Sequence, residues 1–324
     1  MRAAICSEHG PPSVVCVGTI DDPEPGPRDV CVRVHAAAVN FPDVLLIANR
    51  YQVQLPTPFV PGSEYAGTID AVGSEVSGWS VGDRVIGTGI SGAFAELVVT
   101  TPAALTRVPE SVDDRTAAAF GVAHRTAYHV VRSVGAVRPG EQVIALGAGG
   151  GVGLAAVQLA TALGANVTAV ASSDEKLAVA RAHGATHTIC HRDLDLRAAL
   201  RAALPDGADV VVDPVGGSLA EPALRTLRAG GRFVTVGYAA GEIPRIPLNL
   251  VMLKGITILG FQFLDFLTRF PDDLIRNDAE LFELFARGAV RPHVGAVFPL
   301  ADAAAALDLV ASGRAIGKVV IDLA

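Results

Sequence analysis

Residues 141–164 read EQVIALGAGGGVGLAAVQLATALG, and this stretch decides the fold. Val143 to Leu146 is an apolar run of strand length, five of the seven residues from Gly147 to Gly153 are glycine, and Leu154 opens a small, apolar run of helical length. Glycines at such a junction permit a tight turn, let backbone amides approach a pyrophosphate and let helix pack closely on strand. The helix N-terminus adds attraction for negative charge. A glycine-rich turn by itself is only a turn; its place between strand and helix predicts a dinucleotide site, with Gly149, Gly150, Gly151 and Val152 at the phosphates.

Downstream, strand, turn and helix keep alternating. The segments ANVTAVASSDEKLAVARAHG, ATHTICH, ADVVVDPVGG, GRFVTVGYAAG and ITILGFQF continue it to about Gly260. This predicts an α/β fold, a doubly wound parallel sheet covered by helices on both faces. The second strand, Val167 to Ala171, bears on cofactor choice, because a carboxylate at its tip grips ribose hydroxyls in NAD enzymes. Here it ends in Ser172 and Ser173, followed by Lys176. Two hydroxyls and a cation suit a 2′-phosphate, hence NADPH. The same SSDEK also reads as a helix N-cap with an acidic first turn, and one serine pair can do both.

Upstream, from Met1 to about Thr106, short β-branched runs (CVRVHAAAV, GTIDAVG, DRVIGTG, AFAELVV) are broken by turn-rich stretches such as DDPEPGPRD. That is a β-rich domain. SVDDRTAAAFGVAHRTAYHVVRSV, from Ser111, has Ser and Asp at its start and helix-spaced apolar residues after, predicting one helix that bridges the halves. Beyond Leu264 the pattern predicts helices near 278–288 and 302–312 and strands near 294–298 and 317–324. The boundaries expected are 1–122 with 263–324 for a discontinuous first domain and 123–262 for the dinucleotide domain, with the active cleft between them.

The net charge is −7 and no dense basic run occurs, which argues against general nucleic-acid affinity. No window reaches the roughly 18 uninterrupted apolar residues of a membrane span, and Met1 to Cys6 reads as a strand with no signal pattern, so a cytoplasmic protein is expected. Cys6, Cys16, Cys31 and Cys190 are widely spaced, which indicates neither a zinc knuckle nor a disulfide framework.

AAAVNFPD, PFVPGSEYAGTIDAVG, VGDRV, GAFAELVV, TAYH, GAGGGVGLAAVQLA, SSDEK, DPVGG and GKVVI follow one another in this order. Over essentially the whole chain this resembles the medium-chain dehydrogenase/reductase superfamily, and within it the zinc-independent NADPH:quinone oxidoreductases, the zeta-crystallin-like proteins. The resemblance implies a GroES-like first domain beside a Rossmann domain. Zinc alcohol dehydrogenases of the superfamily place a Cys about where this chain has Asn40 and a His where it has Ser63, in Gly62-Ser63-Glu64, and they carry a four-Cys lobe that this chain lacks. Without thiolate and imidazole a zinc site cannot be assembled from these positions. Loss of a metal Lewis acid points away from alcohol oxidation and toward reduction of an already electrophilic quinone or activated alkene.

The resemblance also implies site residues. Asn40 and Tyr51 are the expected donors to substrate oxygen, with Tyr65 and Tyr128 behind them. Tyr51, in NRYQVQ, either lines the pocket or only packs there; Asn40 lies by the nicotinamide or fixes the turn before Pro42. Asp43 is read as organising its loop rather than acting as an acid. Thr126 is the cofactor contact on the bridging helix, where Arg125 replaces a small residue. His191 falls where the family touches the adenosine phosphate, Val215 follows the fourth strand, and Gly237, Tyr238, Phe261, Gln262 and Phe263 match segments that wrap the nicotinamide half. Alternative readings are an enone or 2-enoyl thioester reductase, and an NADPH-binding structural or RNA-associated crystallin-like protein without turnover. The apolar last strand, near Ile256 to Gly260, predicts a homodimer.

Overall fold

The β-branched runs of the first hundred residues form β1 (Arg2–Cys6), β2 (Val15–Thr19), β3 (Val30–Val39), β4 (Glu64–Val72), β5 (Arg84–Thr88), β6 (Leu97–Thr100) and β7 (Leu105–Arg107). A short helix, α1 (Phe41–Ile47), lies between β3 and β4. The structure is a computed structural model that describes residues 1–323. β1 and β2 pair with each other, and strand β3 organises the other sheet of this unit. It pairs antiparallel with β4 along one edge, and Val30–Arg33 pair with β6 on the other.

The helix predicted from Ser111 is two helices. α2 (Asp114–Ala118) is capped by Asp113, whose carboxylate accepts the Thr116 N–H, and α3 (Ala123–His129) runs on into a π-helical turn, Val130–Val134. The break has a local cause. The Val122 N–H leaves the helical ladder to donate to Glu64 Oε2 at 2.7 Å, and Gly121 packs so closely that a Cβ there would stand 2.7 Å from Thr88 Cγ2. Apolar periodicity does not register a single amide captured by a distant carboxylate.

The glycine-rich run folds as its spacing predicts. β8 (Gln142–Leu146), α4 (Gly151–Ala162), β9 (Asn166–Ala171), α5 (Asp174–Ala182), β10 (His187–Cys190), α6 (Leu196–Ala203), β11 (Ala208–Asp213), α7 (Ala220–Thr226), β12 (Leu227–Thr235), α8 (Asn249–Lys254) and β13 (Thr257–Gly260) alternate along the chain. All strand pairs are parallel, in the order β10-β9-β8-β11-β12-β13. This is the 3-2-1-4-5-6 order of a doubly wound sheet, with its reversal between β8 and β11. Ile144, Leu146, Val170, Val211, Leu224 and Phe233 centre its core.

After α9 (Phe263–Arg269) and α10 (Pro271–Ala286), the chain ends in β14 (Val294–Pro299), α11 (Ala303–Ala311) and β15 (Lys318–Asp322). β15 pairs with β3 through Val319–Asp322 against Val39–Ala36, so the tail completes the first sheet. Two compact units result: Met1–Val122 with the chain from Pro292 onward, and Ala123–Arg291. The return therefore falls near 292 and not at 263. Helices α9 and α10 pack on each other and α10 on α3, which keeps 263–291 with the dinucleotide unit.

Candidate functional site

In the dinucleotide unit the turn after β8 is built for an anion. Gly147 takes φ +61°, a conformation most side chains resist, and Gly153 has no room for a Cβ. Gly150, the N-cap of α4, has no side chain to cap the helix, which leaves first-turn N–H groups available to a phosphate. Gly149, Gly150, Gly151 and Val152 all lie in this turn or open this helix. The residues present fit a dinucleotide's pyrophosphate.

The tip of β9 divides the two roles expected of SSDEK. Ser173 caps α5, its Oγ accepting the Lys176 N–H at 3.4 Å, while Lys176 Nζ lies 3.4 Å from Ser172 Oγ. The stem of Lys176 crosses Gly149, where a Cβ would stand 2.5 Å from Lys176 Cβ. Burial, and then the neighbouring Arg192, lower the Lys176 pKa from its ordinary value. His191, whose backbone N–H donates to Ala171 O at 3.0 Å, also has its imidazole pKa lowered, chiefly by burial. Arg192 escaped the sequence reading. Its signal is a basic residue just past the third strand, in CHRD.

At the β8/β11 reversal, Asp213 holds the turn. Its Oδ1 accepts the N–H groups of Val215 and Gly216, each at 2.8 Å, and Val215 Cγ2 would stand 2.6 Å from a Cβ on Gly147. Gly237 lies against the same turn, and Tyr238 is 38 % exposed. Phe261 donates its N–H to Thr235 O at 3.0 Å, and the Gln262 side-chain oxygen caps α9. Phe261, Phe263 and Phe266 surround His129, with ring centroids at 6.3, 5.8 and 4.6 Å. Arg125 points to Asp278 in a two-bond pair (3.0 and 2.7 Å), and Thr126 beside it is buried. The Tyr128 hydroxyl donates to Glu280 at 2.7 Å, and Tyr65 is buried in β4 under Gly87, so neither is an exposed donor.

The first unit gathers a buried polar cluster that the sequence did not announce. Asn40, between β3 and α1, donates through Nδ2 to Glu64 Oε1 at 2.8 Å and Ser63 Oγ at 3.2 Å, and accepts at Oδ1 from Lys318 Nζ at 2.6 Å. Lys318, first residue of β15, also donates to Val39 O at 3.0 Å and pairs with Glu64 at 2.7 Å. The Asp43 carboxylate accepts the Asn40 backbone N–H at 2.7 Å, in the turn that opens α1. Tyr51, in the bend after α1, is partly buried; burial, then the charge of Asp43, push its phenol up. The expected donor Asn40 thus has its amide hydrogens directed at Glu64 and Ser63.

Among the described residues no group of three or more His, Cys, Asp or Glu side chains stands where it could hold a metal ion. No helix among them is long and apolar enough to cross a membrane.

A doubly wound sheet with an anion-binding glycine turn, in one chain with a β-rich unit completed by the C-terminal strand, defines the class of two-domain dinucleotide-dependent oxidoreductases. The family described as Alcohol dehydrogenase GroES-like domain matches residues 26–110, and that described as Zinc-binding dehydrogenase matches 151–278. Quinone oxidoreductase-like protein 2 of Mus musculus is 36% identical over 99% of this chain and 92% of its own length. Quinone oxidoreductase of Pseudomonas aeruginosa is 36% identical over 97% of each chain. The structure of Escherichia coli quinone oxidoreductase complexed with NADPH superposes with a TM-score of 0.91 at 27% identity, covering 100% of both chains. The chain belongs to the quinone oxidoreductase-like branch of the medium-chain dehydrogenase/reductase superfamily.

Proposed function

We propose that this protein is an NADPH-dependent reductase that passes hydride to a quinone or a similar electrophilic acceptor without zinc. One observation carries the reading. Where zinc relatives place thiolate and imidazole, Asn40 and Ser63 stand: Asn40 donates to Glu64 and to Ser63 Oγ and accepts from Lys318. An amide and a hydroxyl so engaged make a poor zinc site.

NADPH, when bound, supplies the hydride. The chain binds and orients. Ser172, Lys176 and Arg192 offer a hydroxyl and two cations to the 2′-phosphate, His191 meets the adenosine side, and Gly149–Val152 present amides to the pyrophosphate. Thr126, Val215, Gly237, Tyr238, Phe261, Gln262 and Phe263 wall the nicotinamide half. On the substrate side Tyr51 is the donor to the developing oxyanion, and Asn40 positions the chain beside it.

Stopped-flow mixing of NADPH-loaded protein with quinones, enones and enoyl thioesters tests this. Quinones are expected to oxidise the cofactor fastest; enoyl thioesters doing so instead would move the assignment to thioester reduction. If nothing oxidises tightly bound NADPH, the enzyme reading fails. For cofactor choice, Lys176→Ala should weaken NADPH by about 1.5–3 kcal/mol, the worth of a charge-assisted contact, while leaving NADH nearly unchanged. An unaltered NADPH/NADH preference in fluorescence titration would sink the 2′-phosphate assignment.

A homodimer belongs to the same reading. β13 is an edge strand in the described sheet, and Ile258 (38 %), Leu248 (76 %) and Met252 (74 %) are exposed at or near it. An apolar edge invites a second copy. Sedimentation equilibrium is expected to give twice the chain mass for the wild type and the chain mass for Ile258→Glu. A monomeric wild type removes the dimer.

A further inference from the structure

Further along β4 from Glu64, the β-rich unit holds a second polar cluster. Strands β3, β4 and β5 run side by side, and Thr68 of β4 pairs in register with Arg33 of β3 and with Arg84 of β5. Beside it β3 carries an extra residue. Its register with β4 shifts between Val34 and Ala36, and the residue left over is His35. A bulge of this kind re-aims a side chain. The His35 ring bridges two neighbours: Nδ1 lies 2.8 Å from Asp114 Oδ2, at the start of α2, and Nε2 lies 3.1 Å from Thr68 Oγ1.

This pattern fixes where the hydrogens are. Against burial, which raises it, hydrogen bonds from Arg84 and His35 hold the Asp114 carboxyl below its ordinary value, so it is ionised at neutral pH. A carboxylate only accepts, so the neutral imidazole carries its hydrogen on Nδ1 and donates it to Asp114. Nε2 is then an acceptor, and the Thr68 hydroxyl donates to it. A hydroxyl on one imidazole nitrogen and a carboxylate on the other is the arrangement that activates a hydroxyl nucleophile.

Two features set the cluster apart from a brace between α2 and the sheet. Arg84 already supplies the brace, its Nη2 donating to Asp114 Oδ1 and, at 2.8 Å, to Val112 O. The cluster is also reachable: the His35 and Asp114 side chains are 29% and 28% exposed, and Thr68 is partly exposed. Arg84, opposite Thr68 in the register, adds a positive charge that favours a developing oxyanion.

The geometry points to Thr68 as an acyl acceptor for activated esters and thioesters, with His35 as its base and Asp114 as the positioning residue that orients His35. The Thr68 O–H bond breaks as its proton passes to His35 Nε2, and Oγ1 forms a bond to the acyl carbon. The bond from that carbon to the alcohol or thiol then breaks, and the leaving group takes the proton from His35. Water reverses the sequence, releasing the carboxylic acid and restoring Thr68. No electrons are exchanged, so the activity is independent of the reductase reading.

Acetylation of the full chain by p-nitrophenyl acetate, mapped by peptide mass spectrometry, tests this. Thr68 is expected to react ahead of the other threonines and the serines, at a rate about a hundredfold above that in His35→Gln, the contribution of a placed base. Thr68→Ser should still be acetylated at position 68, and Thr68→Val should lose that share of the p-nitrophenolate burst. Each variant should hold NADPH as the wild type does, which reports its folding. Nitrogen NMR of histidine-labelled protein reads the pattern without any reaction: the neutral His35 ring should carry its hydrogen on Nδ1, and Asp114→Asn should lose that preference. Wild-type Thr68 left unacetylated while lysines in the same sample react overturns the proposal, as does equal acetylation of Thr68 in His35→Gln. A wild-type ring with its hydrogen on Nε2 overturns it even if no variant folds.

Discussion

Lys318→Met is expected to lower stability by about 3–5 kcal/mol, the cost of removing one partner from a buried ion pair. The Lys318 ammonium has three hydrogens and three acceptors: Glu64 Oε1, Asn40 Oδ1 and Val39 O. Methionine fills much of the stem's volume, so the loss is mainly electrostatic. It leaves Glu64, which is 0% exposed, without its counter-ion. The double variant Glu64→Gln/Lys318→Met should recover much of that loss, because no buried charge is then left unpaired. Urea unfolding of the single and double variants measures the coupling. A Lys318→Met loss below about 1 kcal/mol would mean that water reaches Glu64 and that the cluster is not sealed.

Gly153→Ala should abolish useful NADPH binding. A Cβ at Gly153 would stand 2.2 Å from Gly147 O, 2.5 Å from Gly147 C and 2.8 Å from Leu146 O. These are backbone atoms, so nothing can swing aside, and α4 must retreat from β8, taking the uncapped N–H groups with it. An affinity loss of about a hundredfold or more, roughly 2.7 kcal/mol, is expected, with about 1–3 kcal/mol of overpacking strain in stability. Gly150→Ala is the control. Its nearest neighbour would be Gly147 O at 3.5 Å, ordinary contact, so it should fold normally. Wild-type NADPH affinity in Gly153→Ala would disprove the close approach of helix and strand.

These two predictions differ in how visible their causes are in the chain. Gly153 stands in a local pattern, a strand, a turn and a helix within some twenty residues, and the periods that announce it are set by backbone geometry. The same holds for Ser173 as a cap of α5 and for the β-branched runs of the first sheet. Lys318 lies 278 residues from Asn40 and sits in an apolar strand, where its sequence shows only a basic residue before VVI. The broken bridging helix has the same origin, since Glu64, 58 residues earlier, takes the Val122 N–H. Arg125 is similar, facing Asp278 across 153 residues.

The amino-acid pattern alone carries the alternation of strands and helices, the glycine turn and the hydroxyls at the tip of β9. Each is a property of neighbours along the chain, fixed by periodicity and by the chemistry of single side chains. Folding decides how each buried charge is met: Lys318 between Glu64 and Asn40, Asp43 against the Asn40 N–H, Asn40 with its amide already engaged. Burial and the pairing of distant residues set those energies, and both exist only once β15 has joined β3.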